Sequence, residues 1–165
     1  MIVYLVGMPG SGKSTVGREV AGRFGVPFVD LDVEIERETG RTVPEIFATD
    51  GEVAFRALEA RALLKASSAD PAVVACGGGV VLEPANRIAL RSSGICVYLN
   101  VPLAQLEARV QPAADRPLIR EQGDLARLLE AREPLYREFA AHVVDGSGTP
   151  AEVADAIVEE LRWSA

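Results

Sequence analysis

The segment Gly7-Met8-Pro9-Gly10-Ser11-Gly12-Lys13-Ser14 fits the pattern G-x-x-x-x-G-K-[ST] and follows directly on the apolar run Ile2-Val3-Tyr4-Leu5-Val6. A strand that enters such a loop builds a phosphate cradle at the edge of a sheet. Glycines let backbone N–H groups converge on an anion, Lys13 can reach the β- and γ-phosphates, and the Ser14 hydroxyl suits Mg²⁺. The helix that follows turns its positive N-terminal end toward the same phosphates. Its apolar stripe, Val16, Val20, Ala21 and Phe24, stops at Gly25 and Pro27, as a single amphipathic helix should. A chance glycine-rich turn is the alternative, and the strand before the loop and the helix after it argue against that. Nucleotide binding is the expectation, with Gly10, Ser11, Gly12, Lys13, Ser14 and Thr15 as its residues.

Strand-like runs recur at Ile2 to Val6, Pro27 to Leu31, Val73 to Cys76, Ile95 to Leu99 and His142 to Val144, alternating with helical patterns. This alternation predicts an α/β fold in three layers, a parallel five-stranded sheet covered on both faces. Thr149, Pro150 and Glu152 predict the start of a last helix with a capping box, and Val153, Ile157, Val158 and Leu161 its buried stripe. At 165 residues with 48% apolar content, the chain is read as one domain over 1–165 with a full core.

Two inserts break the alternation. The first, about 32–64, reads as short helices: Gly40 ends one, Thr42 and Glu45 cap the next, and Asp50-Gly51 interrupts before a third. The second, about 111–123, is polar, holds Pro112, Pro117, Arg116 and Arg120, and reads as a lid, with an inert surface loop as the alternative.

The net charge of −7 and a sequence pI near 4.8 argue against a nucleic-acid partner, which a basic face would serve. No apolar run approaches the ~20 residues of a membrane helix, and the N-terminal segment reads as a strand leading into the phosphate loop rather than as a secretory signal. A soluble, cytoplasmic, monomeric protein is the expectation. Cys76 and Cys96 lack metal or redox spacing and read as buried apolar residues. His142, the single histidine, reads as a satisfied or solvated imidazole, which leaves carboxylates as the candidates for a general base.

Asp30-Leu31-Asp32 ends the second strand, and alternation is expected to send both carboxylates to one face at the carboxyl edge, where ligands of open α/β sheets bind. One carboxylate could order a Mg²⁺ water while the other accepts a hydroxyl proton; Asp32 could equally cap the next helix. From the residues alone both readings stand. Cys76-Gly77-Gly78-Gly79 follows the third strand, and three glycines in a row cost conformational entropy. Backbone contact with a ligand is preferred there over a tight turn. Arg132 falls on the apolar stripe of its own helix with Leu125, Leu128, Leu129, Leu135 and Tyr136, where a guanidinium needs an anion or must snorkel. Arg56 and Glu59 fit an ordinary i, i+3 pair on an exposed helix equally well. These features describe a small-molecule kinase whose acceptor carries an anion.

The phosphate loop, Asp30-Leu31-Asp32, Phe47-Ala48-Thr49-Asp50-Gly51-Glu52 through Phe55-Arg56 to Glu59, and Val73-Val74-Ala75-Cys76-Gly77-Gly78-Gly79 together resemble the bacterial-type shikimate kinases. The likeness continues through Arg116-Pro117-Leu118 and Arg132-Glu133-Pro134-Leu135-Tyr136 and runs end to end. It implies a nucleoside-monophosphate-kinase-like P-loop fold and transfer of the ATP γ-phosphoryl group to the 3-hydroxyl of shikimate. By matched position it also implies a carboxylate clamp of Arg56 and Arg132, with Asp32 and Gly78, flanked by Gly77 and Gly79, on the ring hydroxyls and Asp32 as candidate base. Ser14 would ligate Mg²⁺ and Asp30 would order one of its waters. Lys13 and Arg116 would stabilise the transferring group, and Arg109 would pack on adenine. Where the family often carries Arg or Asn before the proline of the adenine loop, this chain reads Asp145-Gly146-Ser147-Gly148-Thr149-Pro150, so adenine contacts there would fall to the backbone. A kinase of another polyhydroxy acid such as gluconate is the alternative.

Overall fold

β1 (Ile2–Val6) is buried along its whole length and sits in the middle of the sheet. In the computed structural model, which describes residues 1–110, 117–121 and 123–163, five strands pair in parallel in the order β2-β3-β1-β4-β5. The partners are β2 (Phe28–Asp30), β3 (Ala72–Ala75), β4 (Ile95–Asn100) and β5 (His142–Asp145). Central strands of a parallel sheet are covered on both faces and so read as continuous apolar runs rather than alternating ones.

Alternation along the strands nevertheless divides the core in two. Ile2, Tyr4, Val6, Val74, Cys96 and Tyr98 face one apolar layer, which α2 (Leu31–Thr39), α3 (Val43–Ala66), α4 (Pro84–Ser93) and α6 (Asp124–Phe139) cover. Val3, Leu5, Val73, Val97 and Leu99 face the other, beneath α1 (Lys13–Phe24) and α7 (Pro150–Trp163). α5 (Leu103–Arg109) follows β4.

The local signals hold. Gly25 closes α1 in the left-handed region, and its N–H reaches back to the carbonyls of the last turn, the C-cap geometry that glycine adopts without Cβ strain. Thr42 and Glu45 form a reciprocal capping box at the head of α3, and Gly40 ends α2. Gly51, at φ 85° and ψ 173°, breaks α3 into two segments, so the first insert is three helical pieces as expected. Thr149 and Glu152 likewise cap α7: Thr149 N–H donates to Glu152 Oε2 at 2.8 Å and Glu152 N–H to Thr149 Oγ1 at 3.3 Å.

One expectation at the β2 edge is corrected. The strand ends at Asp30 and α2 begins at Leu31, so Asp32 lies in a first helical turn and not on a strand. Asp30, rather than Asp32, is the N-cap, its Oδ1 accepting from the N–H groups of Asp32 and Val33 at 3.1 and 3.4 Å. A carboxylate at that position satisfies free helix donors and favours the helix dipole, and this advantage outweighs one further residue of extended strand. No helix among the described residues is long and apolar enough to cross a membrane.

Candidate active site

The strand order decides where the loops meet. β1 lies between β3 and β4, so the phosphate loop after β1 and the triple glycine after β3 are neighbours at the carboxyl edge. β2 in turn pairs with β3, Asp30 standing opposite Ala75. The connection out of β1 runs toward β2 and that out of the neighbouring β3 runs toward β4, in opposite directions, the arrangement that opens a ligand crevice.

Gly10 and Gly12 hold positive φ of 79° and 90°, and Gly12 heads α1 with no side-chain cap. The first N–H groups of α1 therefore have no side-chain partner and can serve an anion. Ser11 is buried and Thr15 exposed on the first turn of α1. Lys13 folds back over the loop, its Nζ donating to the carbonyls of Gly7 and Met8 at 2.9 and 2.8 Å. Burial lowers its pKa from 10.5 to about 8, against the opposing pull of the Asp32 carboxylate. Arg109, at the end of α5, is exposed and donates to the Gly10 carbonyl at 3.2 Å.

Ser14 Oγ donates to Asp30 Oδ2. One oxygen of Asp30 thus caps α2 while the other meets the phosphate-loop hydroxyl. A hydroxyl and a carboxylate oxygen side by side fit Mg²⁺, which takes few protein ligands and completes its shell with phosphate and water.

Each of the three glycines makes room for a different charged side chain. A Cβ on Gly77 would lie 2.6 Å from Glu59 Oε1 and 3.2 Å from Asp32 Oδ1; one on Gly78 would lie 3.2 Å from Arg132 Nη1; one on Gly79 would lie 2.3 Å from both terminal nitrogens of Arg56. None of the three has positive φ. Space for the protein's own charged side chains, rather than turn geometry, is what glycine supplies here.

Asp32 Oδ1 and Glu59 Oε1 are buried without a hydrogen-bond partner. Burial raises both carboxyl pKa values; the neighbouring Asp30 charge adds to the effect on Asp32, and Arg56 opposes it on Glu59. Glu59 is fully buried and pairs with Arg56 at 3.0 Å, while Arg56 also meets Glu52 at 3.2 Å. The exposed-helix reading of this pair is therefore overturned. The signal was in the sequence, since Phe55, Glu59, Ala62, Leu63 and Ala66 share one helical stripe and all are buried.

Arg132 is 3% exposed and has no ion pair with a carboxylate among the described residues. Snorkelling does not describe it. With Asp32, Arg56, Glu59 and the three glycines it lines a cleft of about 700 Å³, whose apolar wall includes Phe47, Phe55 and Leu128. Pro117, Leu118 and Ile119, from the expected lid, face the same cleft. Arg116 lies outside the described residues.

Groups the sequence set aside stay aside. His142 opens β5 at the amino edge, opposite the site, with Nδ1 3.0 Å from a Glu160 oxygen. Both thiols are buried, and burial pushes Cys96 up to about 12 and Cys76 upward as well. Neither is a nucleophile at neutral pH.

A phosphate loop on a parallel sheet of this order, beside a cleft in which two guanidinium groups flank a buried carboxylate, defines a P-loop phosphotransferase of the nucleoside-monophosphate-kinase type. The family model for shikimate kinase matches residues 9–162, and the chain belongs to that family. It is 49% identical to a shikimate kinase of Aromatoleum aromaticum over 154 residues, 91% of this chain and 88% of that one. A shikimate kinase from Acinetobacter baumannii, solved in complex with shikimate, superposes with a TM-score of 0.95 at 39% identity and covers 99% of this chain and 93% of that one. A gluconokinase from Sinorhizobium meliloti, 21% identical with a TM-score of 0.60 over 99% of this chain and 96% of that one, shares the fold alone.

Proposed function

We propose that the chain transfers the γ-phosphoryl group of ATP to the 3-hydroxyl of shikimate, forming shikimate 3-phosphate and ADP. The observation that carries this reading is the pair of guanidinium groups of Arg56 and Arg132, set flush against Gly79 and Gly78 one strand away from the phosphate loop. Two forked cations at a buried edge suit one planar carboxylate on a small acceptor. The gluconate alternative has weaker support, because the gluconokinase is only 21% identical to this chain while the shikimate kinases reach 49%.

Phosphoryl transfer of this kind rests on positioning and on compensation of charge rather than on covalent chemistry. Arg56 and Arg132 would hold the acid, Glu59 would keep Arg56 in place, and Asp32 with the Gly78 backbone would take the ring hydroxyls. Asp32 Oδ1 would accept the 3-hydroxyl proton as the phosphoryl group bonds to that oxygen, and the raised pKa of Asp32 improves it as an acceptor. The proton then leaves to solvent. Lys13 would swing from the Gly7 and Met8 carbonyls to the triphosphate and, with Arg116, offset the charge on the transferring group. Ser14 would ligate Mg²⁺ and the Asp30 carboxylate would order one of its waters; the ion when bound supplies charge neutralisation at the phosphate oxygens. Arg109 would pack on adenine. Thr149 is engaged with Glu152, so the 145–150 loop would meet adenine through its backbone.

The test is ADP release from Mg·ATP with shikimate, quinate and gluconate offered separately. Turnover confined to shikimate is expected. Turnover with quinate or gluconate in its place would keep the phosphate cradle and overturn the acceptor assignment.

A further inference from the structure

Tyr136 is fully buried in the apolar layer between α6 and the sheet. Its ring stacks on Tyr98 of β4, with centroids 5.0 Å apart and planes inclined by 22°. A buried phenol needs a partner for its hydroxyl. The hydroxyl donates to the carbonyl of Gly78, 58 residues away in the chain.

Gly78 also lies between the two halves of the site. A Cβ there would lie 3.1 Å from Pro9 Cδ and 3.4 Å from the Gly7 carbonyl on one side, and 3.2 Å from Arg132 Nη1 on another. The phosphate loop and the Arg132 cation therefore press on the same peptide, and the Tyr136 hydroxyl holds the carbonyl of that peptide. Because Tyr136 belongs to α6 and its ring stacks on Tyr98 of β4, the hydroxyl is held by a helix packed on the sheet and not by a loop.

We propose that Tyr136 is a positioning residue whose hydroxyl sets the Gly78 peptide and Arg132 relative to the phosphate loop. It touches no reacting atom. It fixes where the acceptor's carboxylate sits, and hence how the acceptor hydroxyl lines up with the γ-phosphate. Removing the hydroxyl leaves the Gly78 carbonyl without its side-chain donor and frees the peptide against which Arg132 packs, while the ring stack survives.

This inference rests on the proposed reaction, and its test separates the two. Wild type and Tyr136→Phe are compared by steady-state kinetics with shikimate and ATP varied in turn, and by thermal denaturation. A rise of about tenfold in KM for shikimate is expected, a loss of roughly 1.4 kcal/mol of acceptor binding, with KM for ATP changed less than twofold and the variant still folded at the assay temperature. Unchanged KM for shikimate, equal changes in both KM values, or a variant that does not fold would make the hydroxyl a packing element and overturn the proposal, leaving the reaction intact. A wild-type protein that does not turn over shikimate would overturn the reaction and this inference with it.

Discussion

Lys13 is the residue on which the phosphate loop turns, and its two environments differ in charge. In the free protein it is held by neutral carbonyls and burial lowers its pKa to about 8. The cation is the form that meets a triphosphate, so nucleotide capture weakens as pH rises through that value. The expected outcome is a basic limb near pH 8 in kcat/KM for ATP, which reports the free enzyme. At saturating ATP the phosphate charge restores the ammonium, and the limb in kcat should move to higher pH. Coincident limbs would show that Lys13 is not the group that titrates. Gly79 gives a second residue-scale prediction. Gly79→Ala puts a methyl group 2.3 Å from the Arg56 nitrogens, and the side chain can yield at its flexible end. Stability should therefore change by less than about 1 kcal/mol, while KM for shikimate rises severalfold because the yielding end is the carboxylate-binding one. Denaturant unfolding beside acceptor kinetics would check this.

At the scale of elements, α3 carries more of the site than its length suggests. Its N-terminal half is started by the Thr42 and Glu45 box, Gly51 redirects the chain, and the second half delivers Arg56 and buries Glu59. Thr42→Ala removes one half of the capping box and should lower stability by about 1 kcal/mol, the usual worth of a cap, in urea denaturation. Activity at saturating shikimate should be nearly unchanged, since the cap lies before the kink and Arg56 after it. A large loss of activity would mean that the kink transmits changes between the two halves. The ends of α3, α2 and α7 were legible because caps are local chemistry, written within four residues of one another. The boundary between β2 and α2 was not, because Asp30 and Asp32 offer both a strand alternation and a helix cap, and the N–H groups of Asp32 and Val33 on Asp30 Oδ1 show which use prevails.

For the molecule as a whole, the site lies on loops that the central strands hold at one edge, so ligand binding is linked to folding of the entire domain. Saturation with Mg·ATP at about a hundred times Kd should stabilise the native state by roughly 2.7 kcal/mol, a rise of several degrees in Tm for a chain of this size. Lys13→Ala should retain the unliganded Tm and lose most of that rise; an undiminished shift would place nucleotide affinity elsewhere. The sequence by itself determined the phosphate cradle and the alternating α/β plan, because a strand, a glycine loop and a helix N-terminus are contiguous and their chemistry is local, and the family through the resemblance carried by Arg56, Glu59 and the triple glycine. It also singled out Arg132, whose charge on an apolar stripe is a conflict visible in one helix. The tertiary structure alone decided that Gly77, Gly78 and Gly79 each receive a different charged side chain, that Glu59 is buried behind Arg56, and that the Tyr136 hydroxyl reaches Gly78. Those are contacts between α3, α6 and the end of β3, elements far apart in the chain, and only the strand order β2-β3-β1-β4-β5 brings them to one edge.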